Sequence, residues 1–289
     1  MLISAKKGFK KKLYKVLIDS CGELPNELKK DDRFCSIPLQ LEIDGEFITD
    51  DETFDQLDFI KKVASSAKEP HSACPSPEAF MAQINDNDER VYIITLSSGV
   101  SGAYNSACLA AQIYKEEHAN IDIYVIDSKA ASVSETLIAL KIKELEEKGL
   151  SFEEIKRKIN DYTDNLHIYG VLNTLDTFKK SGRISAVKCM TADVLNVKVI
   201  IGANNGQLVQ LGKARGMKKA IQNMINMMKK EVVEPETKTL AIAYCNCKER
   251  AEYVKSLIEN TIHVKDIIML SMSGVSTMYA NDGGVLISI

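Results

Sequence analysis

The feature that most constrains this chain is a set of short, nearly continuous apolar runs in its first half: Leu13 to Ile18, Val91 to Leu96 and Ile121 to Ile126. Runs of this kind, bounded by turn residues, are strands buried on both faces. Helical patterns separate them. One follows Gly102 and places Ala107, Ala110, Ala111 and Tyr114 at helical spacing, and another runs from about Ser134 to Lys148 and closes at Gly149. Earlier, helices are predicted over about 55–67 and 77–84, the second opened by Ser76 as N-cap and Pro77 as first helical residue. Phe34 to Ile43 reads as one extended segment, and Asp44-Gly45 as a hairpin turn into Glu46-Phe47-Ile48. Pro70 to Pro77 reads as a loop. Strands alternating with helices predict a parallel sheet covered on both faces.

The second half changes character. Ser151 caps a helix to about Asn165, and His167 to Leu172 is a strand. Asn204-Asn205-Gly206 marks a hairpin between Val197–Ile201 and Gln207–Leu211. Helix 217–229, strand 239–244, helix 248–260, strand 267–270, a Gly-rich loop and a terminal strand 285–289 complete the chain. The expected fold is α/β: a parallel-sheet α/β domain over residues 1–162 packed on an α+β domain over 163–289.

Composition excludes several function classes. With 289 residues, 45% hydrophobic and 27% charged, the chain is globular rather than disordered. A net charge of −3 argues against a general nucleic-acid binder. No apolar run reaches the ~18 residues of a membrane span. The start carries lysines at 6, 7, 10, 11 and 12 without an apolar core, so it is no signal peptide and supports at most a peripheral membrane contact. Seven cysteines, an odd number scattered through apparent core segments, read as reduced thiols of a cytoplasmic protein. Cys245-x-Cys247 lacks a second close pair, so no metal is expected there. Neither G-x-G-x-x-G nor a P-loop occurs, and no cofactor is expected.

Charge is unevenly spread. Asp19 to Asp58 holds 13 acids and three bases, whereas Gly170 to Lys230 holds 11 bases and two acids. These read as solvated faces, the acids of Asp50-Asp51-Glu52 among them, or as a basic surface for phosphate or an acidic partner.

Two hydroxyl-bearing loops carry the chemistry: His71 to Pro77, and Ser97-Ser98-Gly99-Val100-Ser101-Gly102. Each precedes a helix N-terminus, where free N–H groups and the helix dipole favour an anion. Two readings stand for Ser101, a donor to that anion or a plain helix cap. A third makes it the nucleophile of a serine hydrolase. Gly99-Val100-Ser101-Gly102 is not the G-x-S-x-G of a nucleophile elbow, and His71, His118, His167 and His263 offer no obvious base. A nucleic-acid-binding module on the basic stretch is disfavoured by the overall acidity.

In motif order, the sequence resembles the DegV family. Asp19-Ser20-Cys21-Gly22-Glu23-Leu24-Pro25 is similar to D-S-x-x-[DE]-L-P, and Ser72-Ala73-Cys74-Pro75-Ser76-Pro77 to T-S-Q-P-S-P. Ser97 to Ala107 is close to S-S-x-L-S-G-T-Y-x-S-A, Lys180 to Ser185 to K-G-G-R-I-S, and Lys213 to Gly216 to x-x-R-G. The resemblance implies a non-catalytic bacterial protein that binds a long-chain fatty acid in a tunnel between two domains. It places the carboxylate on the hydroxyls of Ser72 and Ser101, beside Gly102 and Tyr279. Some family members present the fatty acid to a kinase subunit, which implies a partner or phosphate contact at Arg183.

Two departures stand out. Tyr279 sits where the family's G-x-H-x-G-P-G loop has His, and a phenol cannot carry positive charge at neutral pH. This suggests a changed head-group preference. Ser134-Glu135 stands in place of small residues after the third strand.

Overall fold

The computed structural model describes residues 14–183 and 196–289. The N-terminal lysines, Leu13, Ile184, Ser185 and Cys189 lie outside the described residues. The first half contains β1 (Tyr14–Asp19), α1 (Asn26–Lys29), β2 (Phe34–Ile37), β3 (Gln40–Ile43), β4 (Glu46–Thr49), α2 (Gln56–Ser65), β5 (His71–Ala73) and α3 (Pro77–Met81). It continues through β6 (Arg90–Thr95), α4 (Ala103–Glu117), β7 (Asp122–Asp127), α5 (Val133–Glu147) and α6 (Phe152–Asp164). Then come β8 (Ile168–Leu172), α7 (Asp176–Lys180), β9 (Val197–Asn204), β10 (Gln207–Arg215), α8 (Met217–Glu231) and β11 (Thr239–Tyr244). The chain ends with α9 (Lys248–Glu259), β12 (Asp266–Ser271), α10 (Gly274–Ala280) and β13 (Val285–Ser288).

The apolar runs form the sheet they predict. Strands β2-β1-β6-β7 are all parallel. One face packs on α3 and α4 through Leu17, Val91, Ile93 and Ala107. The other packs on α5 and α6 through Val16, Ile18, Ile94, Ile142 and Ile155. Ser151 closes a full capping box with Glu154 at the start of α6. The expected boundary at 162/163 falls in the last turn of that helix.

The second sheet has six strands in the order β10-β9-β8-β13-β11-β12, antiparallel except for β11 beside β12. Its outer face packs on α8 and α9, with Met224, Met228, Val254 and Ile258 fully covered. Helix α5 meets its inner face through Val133 and Leu137, which touch Leu172, Ala241 and Leu286. So α5 lies between the two sheets, with ten of its fifteen residues buried.

Four local expectations are corrected. Phe34 to Ile43 is two strands, because Pro38 cannot donate to a ladder and the chain changes sheets there. Beyond it, β3 pairs antiparallel with β4 and with β5, so part of the predicted loop 70–77 is a strand, with Leu41 opposite Ser72. The turn Asp44-Gly45 has positive φ at both residues, as a two-residue hairpin demands. The Gly-rich loop before the last strand contains helix α10. Its start is fixed by Asp50, whose carboxylate accepts N–H bonds from Gly274 at 2.6 Å and Val275 at 2.9 Å. Asp50 is therefore not a solvated acid; it is 2% exposed.

Candidate functional site

Between the two sheets lies a cavity of about 340 Å³. The folding of the first half brings both hydroxyl loops to its edge. In the earlier loop, Ser72 is held by β5 against β3, and Ser76 caps α3 by accepting from the Ala79 N–H at 3.3 Å. Ser106 of α4 donates to the Pro75 carbonyl at 2.6 Å and ties this loop to the next.

The later loop follows β6. Its Ser98 N–H and hydroxyl both bond to the Asp127 carboxylate at the end of β7. Ser97 donates to the Gly206 carbonyl at 2.7 Å, and the Gln207 side chain donates to the Gly99 carbonyl at 3.1 Å, so the tip of the β9–β10 hairpin rests on this loop. Gly99 is needed for that approach: a Cβ there would lie 2.6 Å from the Gly206 carbonyl oxygen. Gly99→Ala is therefore expected to push the hairpin off the loop and to cost about 1–3 kcal/mol, measured by urea unfolding. A variant as stable as wild type would show that the hairpin contact is not rigid.

Ser101 lies two residues before α4, whose N-cap is Gly102 with no side-chain cap bond, and its oxygen accepts from the Ala103 N–H at 3.1 Å. Ser101 is therefore not the helix cap, and its hydroxyl proton is left to donate elsewhere. Gly102 lies beside Cys74, 3.4 Å from where a Cβ would sit.

From the second half come Tyr279, whose ring is tilted 34° against that of Phe178 with centroids 4.7 Å apart, and Arg183, whose guanidinium donates to the Ser181 carbonyl at 2.7 Å and keeps further N–H groups for another acceptor. All five residues expected from the sequence, Ser72, Ser101, Gly102, Arg183 and Tyr279, line this one cavity. Its walls are largely apolar, with Leu39, Leu96, Val100, Ile201, Leu208 and Leu286 among them. Such a site can hold a long apolar body and one polar end.

Cys21, Ser132 and Ser276 also line the cavity, and sequence reasoning missed all three. Ser276 sits on α10, which read as loop, and Cys21 and Ser132 sit in turns whose direction no local pattern gives. Behind them lie four buried carboxyls, Asp19, Glu23, Asp50 and Glu135. Asp19 accepts from the N–H groups of Cys21 at 3.1 Å and Leu96 at 2.8 Å. Glu23 accepts from the Ser132 hydroxyl at 2.8 Å and from the Ser273 N–H. Asp50 accepts from the Ser20 hydroxyl as well as from α10. Burial outweighs these bonds and pushes Asp19 and Glu23 up to about 7 and Asp50 to about 6. Glu135 is raised well above the usual carboxylate range, first by burial and then by the charges of Asp19 and Glu23.

Among the described residues, no helix is long and apolar enough to cross a membrane. Comparison with known proteins places this architecture. The DegV family model, described as a family of uncharacterised proteins, matches residues 14–289. A DegV domain-containing protein of Streptococcus pyogenes is 34% identical over 278 residues, 94% of this chain and 98% of that one. A crystal structure of a DegV family protein from Ruminococcus gnavus with vaccenic acid is 42% identical with a TM-score of 0.93, over 96% of this chain and 99% of that one. The Streptococcus pneumoniae fatty acid kinase (Fak) B3 protein loaded with linoleic acid is 28% identical with a TM-score of 0.85, over 96% and 98% of the two chains. With the family model spanning residues 14–289 and relatives similar over nearly their whole length, the chain belongs to the DegV family.

Proposed function

We propose that this protein binds a long-chain fatty acid in the cavity and is a carrier rather than an enzyme. The acyl chain lies along the apolar walls in a tunnel between the halves 1–162 and 163–289. The carboxylate is held by the hydroxyls of Ser72 and Ser101 at the N-terminus of α4, with Gly102 allowing close approach. Tyr279 and Arg183 close the head-group end. The observation that carries this reading is the convergence of all five residues, from separate segments of the chain, on one apolar cavity. Fatty acids bound in the R. gnavus and S. pneumoniae relatives support it.

The physical logic is an economical division of labour. Each buried CH₂ contributes about 0.8 kcal/mol, so the tail supplies affinity. An unpaired buried carboxylate would cancel much of that, so the hydroxyls, the N–H groups at the helix start and the guanidinium offset its desolvation. Arg183 also suits an acyl phosphate, and the relation to a fatty acid kinase protein favours a kinase as the partner to which the bound acid is presented. The serine hydrolase reading requires a base that the described cavity lining does not supply, since no histidine is in it.

The test is mass spectrometry of an organic extract of the freshly purified protein. One long-chain fatty acid per chain is expected. An empty protein that also refuses added fatty acid would overturn the reading. Ser101→Ala is expected to weaken fatty acid binding by about tenfold, the worth of one charge-assisted hydrogen bond. Unchanged affinity, measured by displacement of a fluorescent fatty acid, would leave Ser101 with only its local bond to the Ala103 N–H.

A further inference from the structure

Glu135 is the residue of this fold whose surroundings are least accounted for. It stands in the first turn of α5, is 0% exposed, and neither of its carboxylate oxygens has a hydrogen-bond partner within the geometric limits of such a bond. One oxygen from each of Glu135 and Asp19 and the thiol sulfur of Cys21 all lie within 4.8 Å of one another. Asp19, Glu23 and Asp50 are each served by N–H or O–H donors. Among the described residues, no lysine or arginine donates a hydrogen bond to these four carboxyls.

We propose that Asp19, Cys21 and Glu135 form a binding site for one divalent transition-metal cation of the zinc type, set behind the acyl cavity. This inference does not depend on what the cavity holds. A buried carboxylate without donors must be neutralised by a proton or a cation. The competing state is a proton held between Glu135 and Asp19, with the Cys21 thiol donating to Glu135. A cation engages all three groups at once.

The donor set selects the metal. Two carboxylate oxygens and a thiolate suit zinc-like ions, whereas the thiolate disfavours magnesium and calcium. Around a tetrahedral ion with bonds of about 2.0–2.3 Å, donors sit roughly 3.5 Å apart, so the group needs only a small contraction. Asp19 is already oriented by the N–H groups of Leu96 and Cys21, as outer partners orient metal ligands. Of the three groups Cys21 borders the cavity, beside Ser276, whose hydroxyl oxygen is 3.8 Å from the Cys21 sulfur. The cation would ionise the Cys21 thiol, which burial otherwise keeps protonated.

The experiment is a titration of chelator-treated full-length protein with cobalt(II), followed by zinc(II). One equivalent of cobalt is expected to give the near-ultraviolet thiolate-to-metal charge-transfer band, and zinc to bleach it and raise the melting temperature. Cys21→Ser should remove the band. Glu135→Gln should weaken cobalt binding at least about tenfold while circular dichroism shows the native fold. The proposal fails if no band forms, or if the band survives Cys21→Ser and so belongs to Cys245 or Cys247. It fails equally if the protonated-carboxyl infrared band that Glu135→Gln removes persists in the wild-type protein beside equimolar zinc, because a proton then holds Glu135.

Discussion

Ile201→Trp is expected to weaken long-chain fatty acid binding by about a hundredfold, because on the proposed function an indole in the cavity excludes about four methylenes worth about 3 kcal/mol. Ile201 sits in the middle of β9, on the face turned to the cavity, and is 5% exposed. Its side chain bounds the space between the sheets with Leu286 and Leu172. The opposite substitution has the opposite sign: Ile201→Ala enlarges the same space and should shift the extracted fatty acids towards longer or bulkier chains. Calorimetric affinities for a series of chain lengths test both at once. If the bound lengths and affinities are the same in both variants, the acyl chain does not run past β9, and the inter-sheet tunnel is not its path.

The metal-free chain is expected to lose stability as the pH rises from about 4.5 to about 7, the reverse of ordinary acid denaturation. The cause is the buried carboxyl group. Glu23 moves from 4.5 unfolded to about 7 folded, Asp19 from 3.8 to about 7, and Asp50 from 3.8 to about 6. With folded values above the unfolded ones, the native state binds more protons in this window. The penalty is absent below the unfolded values and complete above the folded ones. A single carboxyl raised as Glu23 is would cost about 3 kcal/mol at the alkaline end.

Glu135→Gln removes one of these charges and keeps the shape, and its amide can donate to Asp19. Under chelation it should raise the melting temperature above pH 7 and leave it nearly unchanged near pH 4. Melting curves from pH 4 to pH 8 decide the matter. A wild-type stability that stays flat or rises across that range would mean that the cluster is neutralised by something other than protons.

The pattern of successes and failures in reading the sequence has a physical basis. Strands β1, β6 and β7 were legible because both faces of each are buried, and their apolar runs state this locally. The caps at Ser76 and Ser151 and the turn at Asp44-Gly45 were legible because each is completed within four residues. The cavity hydroxyls were found for the same reason, as they sit in loops whose motifs are contiguous. Phe34 to Ile43 misled because a continuous extended pattern does not say which neighbour each part pairs with. Helix α10 read as a loop because its start is fixed not by a local cap but by Asp50, 224 residues away.

The sequence by itself determined the alternation of elements, the parallel first half, the antiparallel hairpin of the second, and the five residues that ring the cavity. The elements follow from periodicity and turn chemistry, which act over a few residues, and the five residues from the resemblance of short motifs to those of the DegV family. Only the tertiary structure decided that Asp50 and Glu135 are buried, that Cys21 and Ser276 share a wall, and that a polar cluster lies behind an apolar cavity. The reason is that desolvation is not a property of a residue type. A carboxylate after an extended strand and one inside a helix look equally soluble in a sequence, and only the elements folded around them remove the water.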